Sequence, residues 1–168
     1  VSRNVRISLI AQIGVSIVIA YMGGYGQNYI MQTIFIAVAF LLYSIFGKAL
    51  IDQGSKLKNL ISISLISVIG IILTVVSIVL YQVQVVDKYN YAFKPLGYRI
   101  TEFLCNTFNA SMIPLANFIG AVNKSFMLPY GLVFTFFIPT LIMWLSLERK
   151  IKGDAKKQEA LFKNMNKI

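Results

Sequence analysis

The chain contains no histidine, a single cysteine and only six acidic side chains among 168 residues. Each scarcity excludes something. Without histidine, histidine-ligated haem and histidine-based zinc or copper sites are excluded from this chain alone, and the commonest general base is missing. With Cys105 alone, no intrachain disulfide can form, and a lone thiol among apolar neighbours reads as a small packing residue. No cofactor, metal site or catalytic group is expected.

Charge is also missing over long distances. No charged side chain occurs in the 41 residues from Ile7 to Gly47, and further charge-free runs cover Asn59–Val86, Phe103–Asn123 and Ser125–Leu147. Runs this long, rich in Ile, Leu, Val and Phe, exceed the roughly 18 residues that a bilayer span requires. With 57% hydrophobic and 13% charged residues, the composition is that of an all-α, polytopic integral membrane protein.

What divides the runs sets the spans. Gly23-Gly24-Tyr25-Gly26-Gln27-Asn28 has the composition of a turn, so the first run is expected to hold two helices, near 7–22 and 29–46. A third is expected near 60–81 and a fourth near 127–147, giving a transmembrane domain over 1–147 with an outer loop over 84–126. Gly-Tyr-Gly also occurs in potassium filters, but no segment is available here for a pore helix, so the turn is preferred. Pro129 suits a first helical turn, whereas Pro139 should kink the last helix. Arg3 and Arg6 ahead of an apolar stretch have the outline of a signal peptide. Tyr21-Met22-Gly23-Gly24 offers no small-x-small cleavage pattern, so a retained first helix is expected.

Orientation follows from the 16 basic residues. Placing the N-terminal end, the loop with Lys48, Lys56 and Lys58, and the region after Leu147 together puts 12 of them on one side. Lys88, Lys94, Arg99 and Lys124 remain on the other. Basic residues favour the cytoplasm, so four spans in the cell (inner) membrane with both termini cytoplasmic satisfy the count.

The segment 103–122 challenges that arrangement because it could be a fifth span. On a helical projection Asn106, Asn109 and Asn117 fall on one stripe, with Leu104, Phe108 and Leu115 opposite. This pattern fits an amphipathic segment that is interfacial or re-entrant, with Pro114 as its bend. A fifth span would carry the basic C-terminal region outside.

The remaining features are contact surfaces. Ser67, Gly70, Thr74 and Ser77 form a small, hydroxyl-bearing stripe on the third span, and Ser16 with Ala20 continues a lesser stripe of Ser8 and Gln12 on the first. In lipid such stripes allow close helix packing and interhelical hydrogen bonds. The outer loop offers Tyr89, Tyr91 and Arg99, with Asn106, Asn109 and Asn117, for a partner or a pore. A carboxylate pair of Asp87 and Glu102 lacks any spacing that implies proximity. Residues 148–168 form a basic amphipathic tail, in which Arg149, Lys150, Lys152, Lys156 and Lys157 suit lipid head groups. Nucleic acid is not expected, since no aromatic platform or known motif accompanies the charge.

No Asp, Glu, Lys or Arg falls inside the four expected spans, which counts against an ion-driven pump. The expectation is a non-catalytic subunit or accessory protein of a larger membrane complex, in transport, secretion or envelope assembly. Its partners would be membrane lipids and other membrane subunits, with a homo-oligomer possible. The alternatives are an oligomeric transporter or passive channel, and an enzyme acting on lipid head groups.

Overall fold

The computed structural model describes residues 2–22, 28–86, 95–122 and 136–165, and every regular element among them is helical. The order is α1 (Ser2–Tyr21), α2 (Tyr29–Ala49), α3 (Lys56–Leu80) running into a π-helical turn (Tyr81–Val86), α4 (Leu96–Asn109), a 3₁₀ turn (Ala110–Met112), α5 (Ile113–Val122) and α6 (Phe137–Met165). Among the described residues three helices are long and apolar enough to cross a membrane: α1, α2 and α3. At a rise of about 1.5 Å per residue each reaches roughly 30 Å or more, the thickness of a bilayer's hydrocarbon core.

Local chemistry sets the boundaries. Asn28 caps α2, its Oδ1 accepting from the backbone N–H groups of Ile30 and Met31 at 3.0 and 3.4 Å. Ser55 caps α3 by accepting from the Lys58 N–H at 3.3 Å. The connection between α2 and α3 turns at Gly54, whose φ of +83° is open to glycine without strain. The Gly23–Gly26 turn, Tyr89, Tyr91, Asp87 and the first nine residues of the expected fourth span lie outside the described residues.

Pro139 stands in the first turn of α6, where a missing N–H removes no intrahelical bond, and the kink expected of it within 127–147 involves residues 127–135, outside the described residues. Where a bend is expected at Pro114, the helix is interrupted one turn earlier by a 3₁₀ turn at Ala110–Met112. Proline 114 cannot donate to the carbonyl of Ala110, which accepts instead from the Ile113 N–H and closes a 3₁₀ turn.

The polarity of the bundle is inverted relative to a water-soluble one. Ser8, Gln12, Ser16, Gln32, Ser62, Ser67, Thr74, Ser77, Ser111 and Thr140 are buried. Ile10, Ile17, Leu41, Ile45, Ile61 and Ile72, from the same helices, are more than half exposed. Leaving such side chains in water would forfeit about 1.5–3 kcal/mol each, whereas hydrocarbon removes that cost. α4 likewise turns Leu96, Ile100, Phe103 and Leu104 outward, with Arg99 the one charged side chain among them. The main core joins Ala11, Val15 and Ile19 of α1 to Phe35, Ala39 and Tyr43 of α2, Ile63 and Ile66 of α3, and Met143 and Leu147 of α6. Trp144 packs half-buried against this core.

Candidate functional site

Three sets of side chains hold the helices together, and they differ in what they leave available. The first fixes the break between α4 and α5. Tyr43 OH donates to Gln12 Oε1 at 2.7 Å and lies 2.7 Å from Ser111 Oγ. Because the phenol's one proton is used on Gln12, the Ser111 hydroxyl donates to Tyr43. Gln12 Nε2 and Ser16 Oγ both donate to the Phe108 carbonyl, at 2.7 and 2.8 Å. The 3₁₀ turn disturbs the regular acceptor pattern of the helix, and two side chains from α1 supply donors to the oxygen at that point. The segment 103–122 is therefore embedded among α1, α2 and α3, with α4 against α3 and α1, and α5 against α2. Phe103, Leu104 and Phe118 of the segment stay exposed on its other side.

The second set lines the contact of α3 with α4 and α6. Ser67 Oγ lies 2.9 Å from the Phe136 carbonyl, to which it donates, and 2.7 Å from Thr140 Oγ1. Thr74 meets the buried Cys105 thiol at 3.3 Å. A Cβ on Gly70 would come within 3.0 Å of Asn109 Oδ1 and of Phe136. Ser77 is buried on the same stripe, and Ala20 packs half-buried against the cluster around Cys105. Asn109 turns inward and donates to the Cys105 carbonyl at 3.0 Å, while Asn106 and Asn117 are half-buried and Arg99 is exposed. Glu102 accepts from Tyr98 OH at 3.0 Å.

The third set gathers at one end of the bundle. Asn4 clamps the α2–α3 connection by donating to the Ile51 carbonyl at 2.8 Å and accepting from its N–H at 2.9 Å, and it donates to Ser62 Oγ at 3.1 Å. Asn59 accepts from the Gln53 N–H at 2.7 Å and donates to Asp52 at 2.9 Å and Glu148 at 3.2 Å. Lys150 Nζ donates to the Leu50 carbonyl at 3.1 Å. The Asp52 carboxyl is held below its ordinary pKa, first by the Asn59 amide and then by the Gly54 N–H. The beginning of α1, the α2–α3 connection and the middle of α6 are thus one bonded unit.

Two clefts flank that unit. One, of about 250 Å³, is lined by Asp52, Lys56, Asn59, Glu148 and Lys152, with acids and bases balanced. The other, of about 620 Å³, lies between α2 and α6 and is lined by Ser44, Lys48, Ser146, Arg149, Gly153 and Lys157, with Lys150 and Asp154 at its side. Its walls are held close by Gly47, where a Cβ would lie 2.6 Å from the Met143 carbonyl oxygen and 2.7 Å from the Ser146 Cβ. Beyond these clefts α6 continues without a break, and residues 154–163 are all exposed. Lys156 belongs to this exposed stretch. Among the described residues no group of three or more Cys, Asp or Glu side chains could hold a metal ion.

Sequence reasoning missed Asn4, Tyr43, Gly47 and Asn59. The signal for Asn4 was present, since it extends the four-residue spacing of Ser8, Gln12 and Ser16 by one step. Gly47 continues the same spacing from Phe35, Ala39 and Tyr43 on the buried face of α2. No protein-family model, curated protein or solved structure matches the chain.

Proposed function

We propose that the chain is a non-catalytic integral membrane subunit or accessory protein of a larger complex. In this reading it crosses the cell (inner) membrane four times and keeps both termini in the cytoplasm. One observation carries the reading: α6 runs unbroken from the buried Thr140 and Met143 to the exposed basic stretch after Gly153. A helix of 29 residues is about 43 Å long at a rise of 1.5 Å per residue. Roughly its first third packs in the bundle, Glu148 fixes it to Asn59 of α3 and Lys150 to the α2–α3 connection, and its remainder projects as a stiff arm. Leu161 and Phe162, 62% and 63% exposed on that arm, provide an apolar contact among lysines. The bundle serves as an anchor and the arm as the surface on which membrane lipids or a partner subunit engage.

The basic residues at the bonded end support cytoplasmic placement of that end. The two alternatives draw less support. A pore lined by Asn109 conflicts with the direction of that side chain, which is bonded inside α4 and lies against Gly70. For a lipid enzyme, the Cys105 thiol is buried against Thr74 whereas Arg99 is exposed.

Affinity purification of the tagged chain from native membranes in mild detergent tests the reading, with a version ending at Gly153 as comparison. One or a few membrane proteins in fixed proportion, lost when the arm is removed, are expected. Recovery of the full chain as a lone monomer, or as a symmetric homo-oligomer with a wet axis, would overturn it.

A further inference from the structure

We propose that the cleft between α2 and α6 is a discrete phosphate site, taking the phosphate of an anionic lipid head group or of a free phosphate compound at the membrane face. Two helical stripes build it. Ser44 and Lys48 are four apart on α2, while Ser146, Arg149, Gly153 and Lys157 follow at spacings of three, four and four on α6. Residues so spaced share one helix face, so each helix turns one hydroxyl and its cations into the same space.

The cleft is made possible by Gly47. The absent side chain lets α2 approach the Met143 carbonyl closely, which brings Lys48 opposite Arg149 at the level where charge first appears after the apolar runs. Gly153 has no atom within 4 Å of where its Cβ would be, so the floor of the cleft is open backbone and not packed side chain. A volume of about 620 Å³ exceeds what one phosphate needs and admits a head group with it.

The charges are uncommitted. Among the described residues Lys48, Arg149 and Lys157 form no ion pair and no side-chain hydrogen bond. Lys150 differs, because its ammonium is already on the Leu50 carbonyl, where it steadies the wall. Three free cations therefore face one acid, Asp154. The cleft on the other side of the bonded end sets Lys56 and Lys152 against Asp52 and Glu148, and its balance of charge gives it no comparable attraction. Guanidinium, ammonium and hydroxyl donors lining one cleft are the set that charge-assisted phosphate binding uses.

This inference rests on the membrane placement proposed above but not on any protein partner, so its failure leaves co-purification results untouched. The test uses the full chain in nanodiscs of phosphatidylcholine, titrated with phosphatidic acid and, separately, with inorganic phosphate. Bound lipid is read by native mass spectrometry, and stabilisation by thermal shift. The variant Lys48→Gln/Arg149→Gln is compared with Lys56→Gln/Lys152→Gln, which removes the same charge at the same end. Diffuse attraction to an anionic surface depends on each basic residue about equally. A formed site adds direct contacts, so the first pair should weaken binding by about tenfold more than the second. Gly153→Leu, which fills the floor without changing charge, should weaken it as well, with the thermal midpoint without ligand showing that the fold is intact. Response to phosphatidic acid alone assigns the site to a lipid head group, and response to both assigns it to phosphate generally. Equal losses in the two charge pairs, or no response to either ligand, would overturn the proposal.

Discussion

Gly47→Ala adds one methyl group at the closest approach that any glycine makes among the described residues. Its Cβ would stand 2.6 Å from the Met143 oxygen, 2.7 Å from the Ser146 Cβ and 2.9 Å from the Met143 Cα. Two of those three atoms are backbone and cannot rotate away, so α2 and α6 must separate by roughly the shortfall from ordinary contact at 3.5–4 Å. Overpacking of this kind costs about 1–3 kcal/mol, and a gap approaching 1 Å forfeits a quarter to a half of the dispersion well for the pairs it affects. Against this, alanine is a better helix former than glycine by about 1 kcal/mol. The expected net is a loss of up to about 2 kcal/mol. Gly14→Ala isolates the helix term, because no atom lies within 4 Å of the position of its Cβ. That variant should gain stability by up to about 1 kcal/mol. Reversible unfolding in mixed micelles, as denaturing detergent is raised, measures both. A Gly47→Ala protein as stable as Gly14→Ala would refute the close approach of α2 to α6, and with it the geometry of the basic cleft.

Other perturbations probe the remaining contacts. Tyr43→Phe leaves Gln12 Oε1 and Ser111 Oγ without their shared partner; in a bilayer such a loss averages about 0.6 kcal/mol and reaches about 1.7, and the same unfolding assay should find a cost in that range. Gly70→Leu should lower stability more than Ile72→Leu, because Gly70 faces Asn109 and Phe136 while Ile72 is 55% exposed; equal effects in a thermal melt would remove the stripe as a contact face. The depressed pKa of Asp52 links the α2–α3 connection to pH. A carboxyl more acidic when folded contributes its stability above the ordinary aspartate value of about 3.9 and loses it as pH falls through the folded one. Amide protection at Gln53 and Gly54, taken relative to the intrinsic exchange rate at each pH, should therefore fall under acid, and Asp52→Asn should abolish that dependence.

The membrane class was legible because excluding charge from a long run has few other physical causes, and α1, α2 and α3 follow from it. The stripe at Ser67, Gly70, Thr74 and Ser77 was legible for a related reason, since small and hydroxyl residues among Ile and Val have little use on a lipid face. Its neighbours were less so. Ile71, which lies off the stripe by spacing, packs against the cluster around Cys105, because α4 reaches further around α3 than one narrow stripe suggests. The path of 96–122 was not legible. An amphipathic pattern tells which residues share a face but not whether that face meets water, lipid or another helix. Here the small and polar face of α4, with Cys105 and Asn109, turns inward and the mainly apolar face turns out. The bonded end was hidden because Asn4, Asn59 and Glu148 are far apart in sequence and each is unremarkable alone. The two stripes of the basic cleft are visible in the sequence, but nothing there shows that they face each other.

Cysteine accessibility in intact cells tests the central claim most directly. With Cys105 replaced by alanine, single cysteines are placed at Lys56, Lys157 and Tyr91 and treated with a membrane-impermeant thiol reagent. Lys56 serves better than Gly54, whose positive φ would strain a side chain. The expected result is that Lys56→Cys and Lys157→Cys are protected until the cells are opened, while Tyr91→Cys reacts at once. Labelling of Lys157→Cys from outside would contradict the four-span arrangement with its cytoplasmic arm and restore a fifth crossing.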